Sequence, residues 1–137
     1  MVRRFSLAGE HAAVWLALGG AGMLLDRPRR PRWRRGAATV AAAYGLNTSV
    51  KLLVRRRRPQ LPGLPPLTGT PTGLSFPSAH ATSSFAAART YSALVPAPPL
   101  YALAVGLAAS RLYLGVHYPS DAVAGAALGL AIGELGR

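Results

Sequence analysis

Two histidines, three cations and a carboxylate stand in three short stretches of this chain, a set suited to handling a phosphate group. The first stretch runs from Lys51 to Arg58 and Pro59. The second is Pro77-Ser78-Ala79-His80, and the third runs from Ser110 and Arg111 through His117 to Asp121. Lys51, Arg58 and Arg111 are fixed cations for phosphate oxygens, the guanidinium as a planar fork and the ammonium as a point charge. Pro77 suits the first turn of a helix, whose free N–H groups at Ser78, Ala79 and His80 would make an anion site. His80 and His117 supply two imidazoles, the side chain best able to exchange protons near neutral pH. Asp121 follows His117 by four residues, near enough to orient one ring nitrogen while the other attacks. Each stretch alone has a plainer explanation. Arginine runs at helix ends are usually topology signals, as expected for Arg55 to Arg57, and a lone Pro-Ser-x-His is usually a helix cap.

What must position these residues is a set of apolar segments. A helix needs about 20 residues to cross the hydrocarbon core. Five segments approach that length: 6–25, 36–54, 78–95, 99–113 and 119–135. The expected fold is therefore an all-α integral membrane protein, one domain over 1–137, built as a bundle of about five transmembrane helices. The segments are rich in Ala and Gly, which favours close helix–helix packing. Gly125, Gly129 and Gly133 make one face of the last helix nearly bare, for packing within the chain or for a homodimer. Two stretches break the pattern. Residues 26–35 carry six arginines with Pro28 and Pro31, and cannot be helical throughout. Residues 59–75 hold five prolines and three glycines and are irregular. Glu10 and His11 are expected to be ordinary polar residues near an interface, Tyr113 and Tyr118 interfacial aromatics, and Arg89 a snorkelling side chain.

With alternating spans, the first stretch ends span two, the second begins span three, and the third joins span four to span five. All three then lie at one membrane face. Arg111 follows a long apolar run, where an unpaired charge costs about 2.5–3.5 kcal/mol on insertion scales. A bound phosphate would serve as its partner.

Composition narrows the alternatives. The net charge of +12 invites a nucleic-acid reading, but the arginines flank apolar runs and no nucleic-acid-binding motif is visible. Basic residues so placed suit anionic lipid headgroups and the positive-inside rule, so the bilayer rather than nucleic acid is the expected partner. No cysteine is present, which excludes disulfides and thiolate metal sites. The four acids, Glu10, Asp26, Asp121 and Glu134, are scattered, whereas a two-metal hydrolytic centre needs clustered oxygen ligands.

Lys51-x6-Arg58-Pro59, Pro77-Ser78-x-His80 and Ser110-Arg111-x5-His117-x3-Asp121 resemble the three signature motifs of the type 2 phosphatidic acid phosphatase (PAP2) superfamily, which also includes glucose-6-phosphatase and the vanadium haloperoxidases. The motifs and intervening spans cover roughly residues 40–135. The resemblance implies a phosphatase with no cofactor and no metal, acting on a lipid phosphate. It implies that His117 attacks phosphorus, that Asp121 holds His117 in the right tautomer, and that His80 protonates the leaving oxygen and then activates water. Lys51, Arg58, Arg111, Ser78 and the backbone at Ala79 would hold the phosphate. The chain departs from the family in having Ala79 where Gly is usual, and five apparent spans where six are usual. The implied substrate is an isoprenyl diphosphate, phosphatidate, phosphatidylglycerophosphate or a prenyl-linked sugar phosphate. A non-catalytic lipid-phosphate binder or transport subunit would use the same cations, but would not need the His80, His117 and Asp121 set. Counting arginines on the two faces leans toward a plasma-membrane protein with its active site on the extracytoplasmic side.

Overall fold

The computed structural model of the chain describes every residue except Leu61 and Leu64, both in the 59–75 stretch. Among the described residues six α-helices make the fold: α1 (Val2–Ala8), α2 (Ala13–Leu25), α3 (Arg30–Val54), α4 (Ala79–Tyr91), α5 (Ala97–Tyr113) and α6 (Pro119–Leu135). Among the described residues there is no strand, only an isolated antiparallel bridge between Arg57 and Leu74.

Helix α4 is the hub, packing against α6, α3 and α5. Its sequence suits that place, because the Ala, Ser and Thr side chains that dominate it let neighbouring backbones come close. Its hydroxyls bond within the bundle: Thr82 Oγ1 reaches Asn47 Oδ1 at 2.9 Å, and Trp15 Nε1 donates to Ser84 Oγ at 2.8 Å. The three α6 glycines meet this helix. A methyl group on Gly129 would lie 2.3 Å from the Thr82 carbonyl oxygen, and one on Gly125 2.7 Å from that of Ser78. That face is filled by α4, the packing within the chain that the glycine spacing allows.

Several large apolar side chains point outward, although Trp15, Trp33, Tyr91 and Leu107 are buried in the core. Leu25, Leu53, Val123 and Leu135 are each more than two-thirds exposed, while small residues fill much of the interior. One helical segment, Arg27–Val54, is long and apolar enough to cross a membrane by length and composition.

Two boundaries differ from the sequence reading. The apolar segment 6–25 is not one helix: the chain breaks at Gly9 to Ala12, where His11 (φ 50°) and Ala12 (φ 60°) are both left-handed. The arginine-rich stretch 26–35 is mostly helical, a 3-10 turn at Arg27–Arg29 leading into α3. Pro28 and Pro31 sit in the opening turn of these two elements, where no N–H is required of them. Arg89 does not simply reach for solvent; it pairs with Glu134 of α6.

Candidate active site

A cavity of about 110 Å³ at one end of the bundle is lined by Lys51, Arg58, Ala79, His80, Arg111 and His117. Residues separated by up to 66 positions thus share one space. Lys51 comes from the last turn of α3, His80 from the first turn of α4, Arg111 from the last turn of α5, and His117 from the turn before α6.

His117 is 5% exposed. Arg58 Nη1 lies 3.2 Å from its Nε2, and a guanidinium has only donors, so Nε2 presents its lone pair. The ring proton is then on Nδ1, which faces Asp121 Oδ2 at 3.4 Å. That contact is not a hydrogen bond, since Nδ1 has no partner at bonding geometry. Oδ2 accepts instead from the Tyr118 N–H at 2.8 Å, and Oδ1 from Arg56 Nη1 at 3.1 Å. The carboxylate is fully buried at the start of α6, where the helix dipole also favours its charge. Catalytic hydrogen bonds are often this long in the absence of substrate.

Burial, and then the positive charges of Arg58, Lys51 and Arg111, push the His117 imidazole down to about 2. The sign is favourable for a nucleophile. A base with a lowered pKa stays neutral as the pH falls through 6.5, the ordinary histidine value, so a nucleophilic role for His117 would not be lost there. The acid limb of kcat/KM, corrected for the substrate's own ionisation near pH ~6, is therefore expected below pH ~5. A pH–rate profile checks this; an enzyme-derived limb between about pH 6 and 7 would contradict it.

The cations are held from behind. Arg58 donates through Nη1 to the Val116 carbonyl at 2.7 Å and through Nε to the Thr72 carbonyl at 2.9 Å. The proline-rich stretch thus has a use: it folds back to clamp Arg58, its Ser75 N–H donating to the Arg56 carbonyl at 2.8 Å. Burial and the nearby Arg111 lower the Arg58 pKa to about 10, which leaves it charged at neutral pH. Lys51 is 8% exposed, with Nζ 3.5 Å from the Leu74 carbonyl. Arg111 is 6% exposed; its Nη1 donates to Ser6 Oγ at 2.7 Å and its Nε has no partner. Such a set has spare donors for an anion.

His80 is fixed from the other side of the chain. Its Nε2 lies 3.0 Å from the Ser6 carbonyl, which can only accept, so Nε2 carries a proton and Nδ1 is left for exchange. Gly9 packs flat against the same ring, since a methyl group there would lie 2.8 Å from His80 Cδ2.

The profile of the PAP2 superfamily matches residues 32–135, about three-quarters of the chain. The chain belongs to the PAP2 superfamily. It is accordingly a hydrolase of phosphate esters. The decaprenylphosphoryl-5-phosphoribose phosphatase of Mycolicibacterium smegmatis is 46% identical over 125 residues, covering 90% of this chain and 68% of that protein. Its namesake in Mycobacterium tuberculosis is 41% identical over 133 residues, covering 97% of this chain and 75% of that protein. In fold, the chain resembles the transmembrane PAP2-type phosphatidylglycerolphosphate phosphatase of Bacillus subtilis, with a TM-score of 0.77 at 24% identity over 98% of this chain and 72% of that one. It also resembles LpxE of Aquifex aeolicus, with a TM-score of 0.82 at 22% identity over 98% and 82%.

Within this PAP2 site the structure departs from the sequence reading at four points. Helix α4 begins at Ala79, so Pro77 precedes its cap and does not stand in its first turn. Ser78 is the buried N-cap: its N–H donates to the Asp121 carbonyl at 3.0 Å and its Oγ accepts from the Ala81 N–H. Ser78 is thus not part of the cavity lining, which takes only Ala79 and His80 from this stretch. Arg56, expected to be a topology signal, instead bonds Asp121 and Ser120 and lies 4.2 Å over the Tyr118 ring. Glu10 and His11, expected at an interface, line the cavity. Ser6 touches both His80 and Arg111, and nothing in its local sequence marks it.

Proposed function

We propose that this chain is a multi-pass membrane lipid phosphatase working through a phosphohistidine at His117. The observation that carries the reading is the His117 Nε2 lone pair, held among three cations in a cavity that also receives His80. In the first step Nε2 attacks phosphorus, the phosphorus–ester oxygen bond breaks, and His80, entering the step as the imidazolium with its second proton on Nδ1, gives that proton to the departing oxygen. In the second step His80 takes a proton from water, whose oxygen displaces the imidazole and releases inorganic phosphate. Phosphoryl transfer needs positioning and neutralised equatorial oxygens more than covalent help. Lys51, Arg58 and Arg111 supply that charge, Arg58 exchanging its contact with Nε2 for phosphate oxygens. Asp121 keeps the Nδ1 proton in place and stabilises the charge that develops on the ring.

The outward leucines and valines support a lipid-facing exterior. At 1.5 Å per residue, the 17-residue helices α5 and α6 reach about 25 Å, slightly short of a hydrocarbon core of about 30 Å. Helix α4 is shorter still, but its flanks are covered by other helices rather than by lipid. Among the candidate lipids, the decaprenylphosphoryl-5-phosphoribose phosphatase activity of the 46% and 41% identical relatives favours a prenyl-linked sugar phosphate. Phosphate release from a lipid panel, by purified protein with excess chelator, tests the reading. Release that persists in chelator supports it; strict dependence on added magnesium contradicts the mechanism.

The arginines at the opposite end of the bundle outnumber those near the site that have no phosphate role, which favours a site outside the cytoplasm. The chain has no cysteine, so a Thr68→Cys variant carries a single label position. Labelling of that thiol in intact cells by an impermeant maleimide is expected; labelling only after lysis would reverse the orientation.

A further inference from the structure

The cavity holds more polar groups than phosphate transfer uses. Tyr44, Asn47, Thr48 and Lys51 all line it from α3, at spacings of three, one and three residues that put them on one helix face. Going back from Lys51, this stripe runs about 10 Å along the helix to Tyr44, toward the bilayer interior. There it meets the break between α1 and α2. His11 Nδ1 and Tyr44 Oη are 2.8 Å apart with their rings edge-to-face, and Glu10 lines the cavity beside them.

Three observations set this stripe apart from ordinary lining. Asn47 is fully buried, yet with Oδ1 on Thr82 its Nδ2 has no partner. Turning the amide round would leave Oδ1 alone instead, so one polar atom is always unsatisfied in the protein alone. His11 and Ala12 hold a left-handed backbone in succession, which residues with a Cβ rarely do and which concentrates at functional sites. Finally, Glu10 places a carboxylate in a cavity otherwise built for an anion. It repels phosphate, and accepts well from a neutral donor.

A hydroxyl group meets all of these needs, because it donates and accepts at once. We infer that Glu10, Tyr44 and Asn47 form a subsite for hydroxyls on the group esterified to the phosphate, so that the chain selects lipid phosphates whose phosphate is carried on a sugar or other polyol. The inference rests on the lipid-phosphatase reading. It adds where the alcohol lies: one to two helix turns from the phosphate, on the bilayer side, as a sugar between a lipid tail and a terminal phosphate requires.

Two substrates of equal prenyl chain length test it in the purified protein: a prenylphosphoryl ribose 5-phosphate and the prenyl monophosphate. Wild-type kcat/KM is expected to favour the sugar by about tenfold or more. Tyr44→Phe removes one hydroxyl and keeps the ring, and is expected to lower that ratio about fivefold, the worth of about one neutral hydrogen bond. Glu10→Gln lowers the ratio too, and it lowers KM for the prenyl monophosphate, since a repelling charge is gone. A merely structural role would weaken both substrates alike. Equal losses on both, or no wild-type preference, overturn the subsite while leaving the phosphatase intact. No release from either lipid sinks the phosphatase reading and the subsite with it.

Discussion

His117→Ala is expected to abolish phosphate release, with kcat falling on the order of 10⁴-fold or more, the scale seen when a covalent nucleophile is removed. The size of the effect follows from the site's division of labour. The three cations and His80 all survive the change, so phosphate still binds and KM moves little. What is lost is the atom that receives phosphorus in the proposed mechanism. Water cannot take its place efficiently, because His80 would have to serve as base for a step in which it normally supplies the proton. Removing a 5% exposed ring also leaves a void beside Arg58, so thermal unfolding of the variant should be recorded alongside its kinetics. A kcat within tenfold of wild type, with the fold intact, would move the nucleophile elsewhere.

Asp121→Asn is the second large effect, about 10³- to 10⁴-fold in kcat, as for the orienting aspartate of hydrolytic triads. The two ends of the new amide are not equivalent here. Arg56 bonds Oδ1, and a guanidinium needs an acceptor, so the amide oxygen takes that position. The amide nitrogen then falls where Oδ2 was, facing the Tyr118 N–H and His117 Nδ1. Two donors cannot share that contact. The imidazole answers by moving its proton from Nδ1 to Nε2, which removes the lone pair proposed to attack phosphorus. The loss is thus one of tautomer rather than of substrate binding, and KM should change far less than kcat. A variant with kcat near wild type would show that Asp121 only anchors the start of α6.

The site was readable from sequence wherever its logic is local or periodic. His117 and Asp121 are one helical turn apart, and Lys51 and Arg58 bracket a helix end, so their chemistry and spacing can be seen along the chain. Placing the three stretches at one end needed only alternating helices. What escaped is carried by contacts across long separations. Arg56 reaches Asp121 over 65 positions, Ser6 reaches Arg111 over 105, and Asn47 meets Thr82 over 35. No pattern along a single chain announces such pairs. The break at Gly9 to Ala12 escaped for another reason. Averaged apolarity reads 6–25 as continuous, whereas the turn depends on two left-handed residues whose side chains do not signal it. Pro28 and Pro31 misled because proline ends a helix in its interior yet fits at its start.

Alkaline quench during turnover, followed by mass spectrometry of the peptide containing His117, goes most directly to the phosphoryl-enzyme. p-Nitrophenyl phosphate suits the experiment, because its phenolate leaves without a proton. The His80→Ala variant should then form the intermediate and fail to resolve it. Phosphate on His117 in that variant, and none on the protein in His117→Ala, is the expected result. Turnover with no phosphate on the protein, or phosphate on another side chain, would mean that phosphorus never bonds to His117.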